Sequence, residues 1–413
     1  MDYLQQTLDK IESSYTGLRE TAHLVLAVAA TTRLERNMPL AVILIGGPSS
    51  GKTSMLMPLT KGQPNSVLKE SVLRVDDFTP ASLVSHASNR STDDLKKIDL
   101  LPRMSGKLVV TKEMAPLFTG HEEELTKKFG VFASVLDGEG YVTSSGTHGE
   151  RGYTDSIVFS LLGAVTPDVL TQKVYNSLNA VGPRFSFWQM PDRRLDLDTW
   201  RGPVENRRAI ENDAKQALMK FVDDLFGAYS SGSVPREEFT VSVDVGRLLS
   251  RTAVLMSRLR SKINFERGDD GEFHQISISH ESPERAYCYL EQVVMGAALI
   301  AGHREVQTSG LKLALGLAIG SAVPKRKRVV ELFFLGRIER SVFDVSRFLD
   351  ISEDTARKYI EQLEKLEIIE KINIDGTAQW DLRPEFKELR ALRFPHEVSP
   401  NHTSFPDLVQ QFK

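Results

Sequence analysis

The chain of 413 residues is too long for one small hydrophobic core, so its length predicts two to four domains. Hydrophobic residues make up 41% of it and charged residues 26%, which is typical of a globular protein. The formal net charge of −3 gives no overall attraction to nucleic acid or to an anionic membrane, so contact with a polyanion requires a local basic patch.

Cysteine usage and hydropathy argue against further classes of protein. Cys288 is the only cysteine, which rules out an internal disulfide framework and a zinc site made of several thiolates. No apolar run approaches the roughly 20 residues of a membrane span, and the N-terminus lacks the basic and then apolar order of a signal peptide. These features predict a cytoplasmic protein with no membrane partner.

The most informative stretch lies at residues 41–53, after an N-terminal segment whose helical spacing predicts one or two helices. An apolar run there breaks into a glycine loop that ends in lysine and threonine. The spacing fits G-x-x-x-x-G-K-[ST], the pattern of a loop that binds nucleotide phosphates between a strand and a helix. The predicted nucleotide-binding residues are Gly46, Gly47, Pro48, Ser49, Ser50, Gly51, Lys52, Thr53 and Ser54.

Each part of this loop has a task in binding ATP and Mg²⁺. Glycines allow backbone N–H groups to approach phosphate oxygens, Lys52 reaches the β- and γ-phosphates, and the Thr53 hydroxyl is a ligand for Mg²⁺. An apolar strand precedes the loop and helix-compatible residues follow it. The sequence therefore predicts that the protein binds ATP and Mg²⁺.

Two later segments compete for the acidic position that an ATPase needs. One apolar run ends at Asp76 and Asp77, but the interval after the phosphate loop is short for a helix and a second strand, and a new helix is predicted to begin at Thr79. Another apolar run ends at Lys112 and Glu113. We favour Glu113 as a Mg²⁺ ligand and as the catalytic group that polarises the attacking water, because a carboxylate at a strand tip can accept its proton. Lys112 replaces the usual aspartate, so either Asp76 or Asp77 assists or metal affinity is modest.

Three candidates follow in the next segment. Residues 138–153 are rich in glycine and serine and predict a hairpin, in which His148 is either catalytic or a group that forms hydrogen bonds in the turn. A third apolar run ends at Thr166, which is placed to sense or orient the water. Arg184 stands on a tight turn, either as a catalytic finger that stabilises γ-phosphate charge in a neighbouring subunit or as half of a surface ion pair.

The remaining sequence predicts helices and then a different small domain. Four helical segments are predicted at residues 209–226, 245–262, 284–301 and 309–322. Beyond Pro324, two short helices with Ser352 as an N-cap, followed by a hairpin with an Asp-Gly turn, predict a winged helix.

The charge of this last domain leaves its partner open. Residues 325–393 contain 15 lysine and arginine residues against 14 acidic ones, whereas a domain that binds phosphates is expected to be more one-sided. DNA contact and docking of a protein therefore both stay open. The candidate DNA-binding residues are Lys325, Arg326, Arg347, Arg357 and Lys358.

With these residues placed, the chain resembles AAA+ ATPases, especially the branch with an extra hairpin that includes MCM helicases and bacterial enhancer-binding activators. Residues 46–53 resemble Walker A, residues 108–113 a degenerate Walker B, residues 136–153 the inserted hairpin and residues 164–167 sensor 1. Residues 182–185 are similar to the turn that carries the arginine finger in MCM proteins. The chain is also similar to poorly described ATP-binding proteins of phages and mobile elements, which share the LDGEG turn.

The resemblance implies an α/β AAA+ core with a P-loop, a helical lid and a C-terminal winged helix. It also gives Arg285, at the start of a lid helix, the role of sensor 2 at the γ-phosphate. The implied segments are an N-terminal helical segment 1–36, the core 37–203, the lid 204–323, the winged helix 324–395 and a tail 396–413.

The function expected from the resemblance is that of an ATPase that forms an ATP-dependent homo-oligomer, such as a hexameric ring, and translocates or remodels DNA. One alternative is a nucleotide-gated assembly switch that recruits an effector protein through the winged helix. Another is a transcription regulator with an ATPase core.

Overall fold

The computed structural model describes residues 3–36, 38–62, 66–85, 91–145, 149–191, 204–267, 273–335, 340–374 and 376–393. The chain divides into two compact units, the first formed by Met1–Ser242 with Tyr289–Leu313 and the second by Val243–Cys288 with Ala314–Lys413. This division differs from the expected boundaries after residues 203 and 323. Within the described ranges, no helix has the length and apolar character of a membrane span.

A parallel sheet of five strands forms the centre of the first unit, in the order β2-β3-β6-β1-β7. Two of its strands, Leu40–Ile45 and Ser160–Val165, are almost entirely apolar and buried along their full length, as is typical of parallel sheets covered by helices. A separate antiparallel hairpin is formed by β4 and β5. The strands of this unit are β1 Leu40–Ile45, β2 Val72–Arg74, β3 Leu108–Thr111, β4 Tyr141–Ser145, β5 Gly149–Tyr153, β6 Ser160–Val165 and β7 Phe185–Gln189.

Helices cover both faces of this sheet. Alternate residues of each strand point to opposite faces, so neighbouring residues of β7 contact different helices. On one face Trp188 Nε1 donates to Thr21 Oγ1 at 3.1 Å, which ties β7 to an N-terminal helix. On the other face Phe187 lies in a cluster with Phe118, at 6.3 Å between ring centroids. The helices of this unit are α1 Tyr3–Ser14, α2 Arg19–Ala30, α3 Lys52–Leu56, α4 Leu68–Ser71, α5 Pro80–Leu83, α6 Thr92–Ile98, α7 Leu100–Met104, α8 Ala115–Phe118, α9 Glu122–Leu136, α10 Gln172–Val181 and α11 Val204–Ala228.

The β4–β5 hairpin confirms the prediction for this segment, and close packing against backbone requires glycine at positions 140 and 152. A Cβ on Gly140, whose φ is +84°, would lie 2.1 Å from the Tyr153 carbonyl oxygen. The Tyr153 hydroxyl donates to Asp99 Oδ2 at 2.7 Å and anchors the hairpin to residues before α7. The tip, including the candidate His148, lies outside the described residues.

The second unit is built from the C-terminal helices and two hairpins. α13 Pro283–Ile300 and α14 Thr308–Gly320 run through the division between the units. The four predicted helical segments agree with α11 to α14 to within a few residues, except that α11 begins at Val204. The remaining elements are α12 Val243–Arg260, β8 Lys262–Arg267, β9 Phe273–Ser279, α15 Pro324–Phe334, α16 Val342–Leu349, α17 Glu353–Lys365, β10 Ile369–Ile374, β11 Thr377–Leu382, α18 Pro384–Lys387 and α19 Arg390–Arg393.

The predicted pair of short helices and the hairpin after it are confirmed as α16, α17 and β10–β11. Ser352 Oγ accepts the Thr355 N–H at 3.2 Å, as expected for an N-cap. Asp350 adopts a φ of +51°, which ends α16 and turns the chain into α17. A bridge between Arg340 and Trp380 adds one more backbone pairing beside β11. Asp375, in the predicted Asp-Gly turn, lies outside the described residues.

A close helix contact involves the part of α13 that belongs to the first unit. A Cβ on Gly296 would lie 2.2 Å from the carbonyl oxygen of Ala27 in α2. Because a real Cβ does not approach backbone this closely, glycine at this position determines how near the two helices pack.

We expect Gly296→Ala to lower the free energy of unfolding by about 1–3 kcal/mol, because the added methyl group forces α2 and α13 apart. Gly227 in α11 is the matched control, since none of the described atoms lies within 4 Å of a Cβ added there. Gly227→Ala is expected to be neutral or to stabilise by about 0.5–1 kcal/mol through helix propensity. Thermal unfolding followed by circular dichroism measures both, and equal midpoints for the two variants would contradict the prediction.

Candidate functional site

The predicted phosphate loop connects the end of β1 to the start of α3. It begins beside β6, because Gly46 N donates to the Val165 carbonyl oxygen at 3.2 Å. A Cβ on Gly46 would lie 2.4 Å from Ser50 Oγ, and Gly51 has a φ of +95° with Leu18 Cδ1 2.6 Å from the position of its missing Cβ. The positive φ therefore requires glycine at position 51, whereas a side chain at position 46 would have to displace that of Ser50.

The tip of the loop is open. Pro48 and Ser49 are exposed, and Ser49 adopts a φ of +62°. None of the described atoms lies within 4 Å of a Cβ built on Gly47. The backbone at the tip is therefore accessible to a ligand of the size of a phosphate group.

Lys52 folds back over this loop. Its side chain is buried, and Nζ donates to the carbonyl oxygens of Gly46 at 2.5 Å and Gly47 at 2.8 Å. Burial lowers the pKa of the Lys52 ammonium, and the nearby Glu113 carboxylate opposes this shift. Lys52 and Glu113, which are far apart in the sequence, are therefore close enough in the fold for their charges to interact.

Glu113 reaches this position from the end of β3. Its Oε1 accepts the Ala115 N–H at 3.1 Å, which orients the half-buried carboxylate. β3 is separated from β1 by β6 alone, a distance of about 10 Å for strands spaced at about 4.8 Å. Glu113 therefore stands two strands from the loop, at the same edge of the sheet.

The competing acidic pair lies farther from the loop. Asp76 and Asp77 follow β2, the edge strand, which is one strand beyond β3. Both are exposed, and Asp76 Oδ2 is paired with Arg74 Nη2 at 2.7 Å. The sheet order therefore favours Glu113 over this pair.

Thr166 follows β6, the strand between β1 and β3, and is half-buried. The registers Ile45↔Val165 and Thr111↔Gly163 place the carboxyl ends of the three strands side by side. The fold thus brings the phosphate loop, Glu113 and Thr166 to one edge of the sheet. Lys112, beside Glu113, is exposed.

Arg184 forms an ion pair within its own chain. Its Nε and Nη2 donate to the two carboxylate oxygens of Asp137 at 2.9 and 3.1 Å, and Nη1 donates to the Val181 carbonyl oxygen at 3.4 Å. The Arg184 side chain is only 12% exposed. This geometry agrees with the ion-pair interpretation of Arg184, although the pair is largely buried rather than on the surface.

Arg285, the candidate sensor 2 residue, lies on the first turn of α13 and is half-buried. It belongs to the second unit, whereas the phosphate loop belongs to the first. Its role at the γ-phosphate stays a prediction.

The DNA-contact candidates divide into exposed residues and one buried arginine. Lys325, Arg347, Arg357 and Lys358 are exposed. Arg326 is only 6% exposed. Its Nη1 donates to the backbone carbonyl oxygens of Leu259 and Ser261, both at 2.9 Å. Burial lowers the pKa of its guanidinium to about 10. The assignment of Arg326 to DNA is therefore corrected, because α15 turns this guanidinium into the interior.

The exposed face of α17 has no net charge. Three acidic and three basic side chains share it, namely Glu353, Asp354, Arg357, Lys358, Glu361 and Lys365. This balance fits a protein partner at least as well as a nucleic acid.

Beside the phosphate loop lies a groove that the sequence did not predict. It has a volume of about 290 Å³ and runs between α11 and the segment that begins with α3. We call it the α3–α11 groove; its lining includes Thr53, Ser54, Met57, Asn212, Gln216 and Met219. Sequence analysis missed it because its two walls are more than a hundred residues apart, and only their helical periodicity was visible.

The predicted Mg²⁺ ligands are compatible with a metal held mainly by its nucleotide. In the part of the chain that the structure describes, no group of three His, Cys, Asp or Glu side chains is arranged to hold a metal ion by itself. Mg²⁺ keeps several water ligands and commonly takes phosphate oxygens with one or two protein oxygens. Thr53 and Glu113 fit that limited role.

Comparisons with known proteins leave the family of this chain open. No family model and no curated protein matches the sequence. Among solved structures, the apo A form of the NrS-1 C-terminal region is similar over 92% of this chain and 74% of that one, at 10% identity and a TM-score of 0.26. A likeness this weak carries no argument, so the AAA+ resemblance continues to depend on the motifs.

Proposed function

We propose that this protein binds and hydrolyses ATP at the loop formed by residues 46–53. The observation that carries the proposal is that the Glu113 carboxylate is close enough to act on the charge of Lys52, at the carboxyl edge of a parallel sheet, the edge at which open α/β sheets bind ligands. A buried lysine over a glycine loop, with a carboxylate two strands away, provides a phosphate contact and a proton acceptor in one place.

In this proposal the loop and Lys52 bind the phosphates. Backbone N–H groups of the open tip donate to phosphate oxygens, and Lys52 exchanges its bonds to Gly46 and Gly47 for charge-assisted bonds to the β- and γ-phosphates. Mg²⁺, when bound through Thr53 and Glu113, neutralises part of the phosphate charge.

Hydrolysis then requires a positioned water molecule. The Glu113 carboxylate orients the water and accepts its proton, while Thr166 donates a hydrogen bond at the neighbouring strand end. The water oxygen bonds to the γ-phosphorus, the bond from that phosphorus to the bridging oxygen breaks, and ADP and phosphate leave. Lys112, which replaces a metal-binding aspartate, is expected to slow this reaction.

The second unit supplies the proposed partner-binding part. The order of its elements supports a winged helix. These elements are α15, the Arg340–Trp380 bridge, the helices α16 and α17, and the hairpin β10–β11. We propose that its exposed cations contact DNA and that ATP turnover is coupled to this contact.

A second candidate function is an ATP-gated assembly switch that recruits a protein. The balanced charge of the α17 face favours this function, because it suits contact with a protein surface. Lys112 also favours it, because slow hydrolysis would give a long-lived ATP-bound state.

Lys52→Ala is expected to abolish ATP binding, because the loop loses its only lysine. Glu113→Gln is expected to bind ATP and to lose about 10²–10⁴-fold in turnover, because the amide cannot accept a proton. Calorimetry and phosphate release measure the two steps, and Lys69→Ala, at an exposed lysine in α4, is the control. ATP binding by Lys52→Ala at the wild-type level would refute the assignment of the loop.

Arg184→Ala and Asp137→Asn are each expected to lower the free energy of unfolding by about 1.5–3 kcal/mol, because they break a charge-assisted pair that is largely buried. The double variant is expected to lose less than the sum of the two, which urea titration measures. If Arg184 is instead a finger for a neighbouring subunit, Arg184→Ala binds ATP without hydrolysing it, and mixing it with Glu113→Gln restores turnover. Such rescue would contradict the structural role.

DNA at low salt is expected to raise ATP turnover several-fold. The Arg357→Ala, Lys358→Ala double variant is expected to lose that response, because contacts with DNA phosphates depend on exposed cations. Lys262→Ala, at an exposed lysine on β8, is the control. Turnover that does not change with single- or double-stranded DNA would favour the assembly switch.

A further inference from the structure

We propose that the α3–α11 groove binds the nucleoside part of the nucleotide, and that Asn212 and Gln216 recognise its adenine base. The inference depends on the proposed function, because it extends the same site from the phosphates to the base. It assigns a binding role to a part of α11 in which the sequence showed no motif.

Two residues of its lining show where the groove lies relative to the phosphate loop. Thr53 and Ser54 line the groove and come directly after Lys52 in the chain. Successive residues of an α-helix are about 100° apart, so the Ser54 side chain lies about 200° around α3 from that of Lys52, and Thr53 lies between the two. A triphosphate with its terminal phosphate toward Glu113 therefore extends its other end toward the groove.

The floor of the groove suits a flat ring. Met57, Pro58 and Met219 contribute apolar surface, and Met219 is only 9% exposed. Methionine side chains are flexible and polarisable, and they make favourable contacts with aromatic rings. The volume of about 290 Å³ is just below the range for small-molecule pockets, roughly 300–1,000 Å³, and fits a nucleoside better than a larger ligand.

The wall of the groove provides groups that recognise a base. Asn212 and Gln216 are four residues apart on α11, so their amides lie on one face of the helix. Each amide offers a donor and an acceptor, the pair of groups that binds the adjacent acceptor and donor on an adenine edge. Both residues are exposed, so an incoming base can reach them.

Two lysines complete the lining. Lys61 is exposed, and Lys215 is half-buried with its Nζ 3.8 Å from Glu211 Oε2. A loose ion pair of this kind leaves Lys215 able to turn toward an anionic α-phosphate at the mouth of the groove. Both lysines add positive charge to the lining of the groove.

The test compares the binding of ATP with that of inorganic tripolyphosphate, which has the phosphates and lacks the nucleoside. We expect the wild-type protein to bind ATP more tightly than tripolyphosphate in calorimetric titrations with Mg²⁺. The Asn212→Ala, Gln216→Ala double variant is expected to weaken ATP binding about tenfold, the effect of one to two lost hydrogen bonds, and to leave tripolyphosphate binding unchanged. Lys220→Ala, at an exposed residue of α11 outside the groove, is the control.

The outcomes separate this inference from the proposed function. Equal binding of ATP and tripolyphosphate by the wild type, or unchanged ATP binding by the double variant, overturns the groove assignment and leaves the phosphate loop intact. Wild-type protein that binds neither compound overturns both proposals. Circular dichroism confirms that the variants are folded, and both substitutions are at exposed positions, so misfolding is not expected.

Discussion

The candidate site depends on the alignment of three parallel strands. The central strands β1 and β6 pair along their full length, and β3 joins β6 on the other side, so their carboxyl ends lie together. This alignment brings the Lys52 ammonium within electrostatic range of Glu113, from chain segments with no local connection. Without it, the glycine loop is an ordinary turn and the carboxylate is an isolated surface acid. The proposed chemistry therefore follows from the sheet as much as from the motif.

Much of this arrangement was predictable because its signals are local. A glycine loop between an apolar strand and a helix, apolar runs that end in polar residues, and a Ser352 cap before an amphipathic helix all depend on neighbours in the sequence. The positions of Glu113 and Thr166 followed from the rule that strand ends collect at one edge. The sequence-based reason for rejecting Asp76 and Asp77 was wrong, because α3, α4 and β2 all fit in the short interval after the loop. The preference for Glu113 now depends on the strand order, a long-range property that places the acidic pair beside the edge strand β2.

The features that sequence reasoning missed are those that depend on distant partners. Arg326 stands in a run of four basic residues that indicated an exposed patch, but backbone carbonyls of Leu259 and Ser261 accept its hydrogen bonds in the interior. The partner of Arg184 is Asp137, in a turn that precedes the hairpin, and no spacing rule connects the two. The groove beside the loop was hidden for the same reason, because one of its walls lies on α11.

The strand order also has a consequence for biosynthesis. β1 is completed at Ile45, yet both of its partners, β6 and β7, lie within residues 160–189. An apolar segment near the start of the chain must therefore wait for more than a hundred further residues before its backbone is paired. Pairings this distant in sequence slow folding and leave strand edges exposed in the meantime. On the ribosome, the apolar residues 40–45 therefore stay unpaired until β6 and β7 have been made, which makes them a segment that a chaperone would protect.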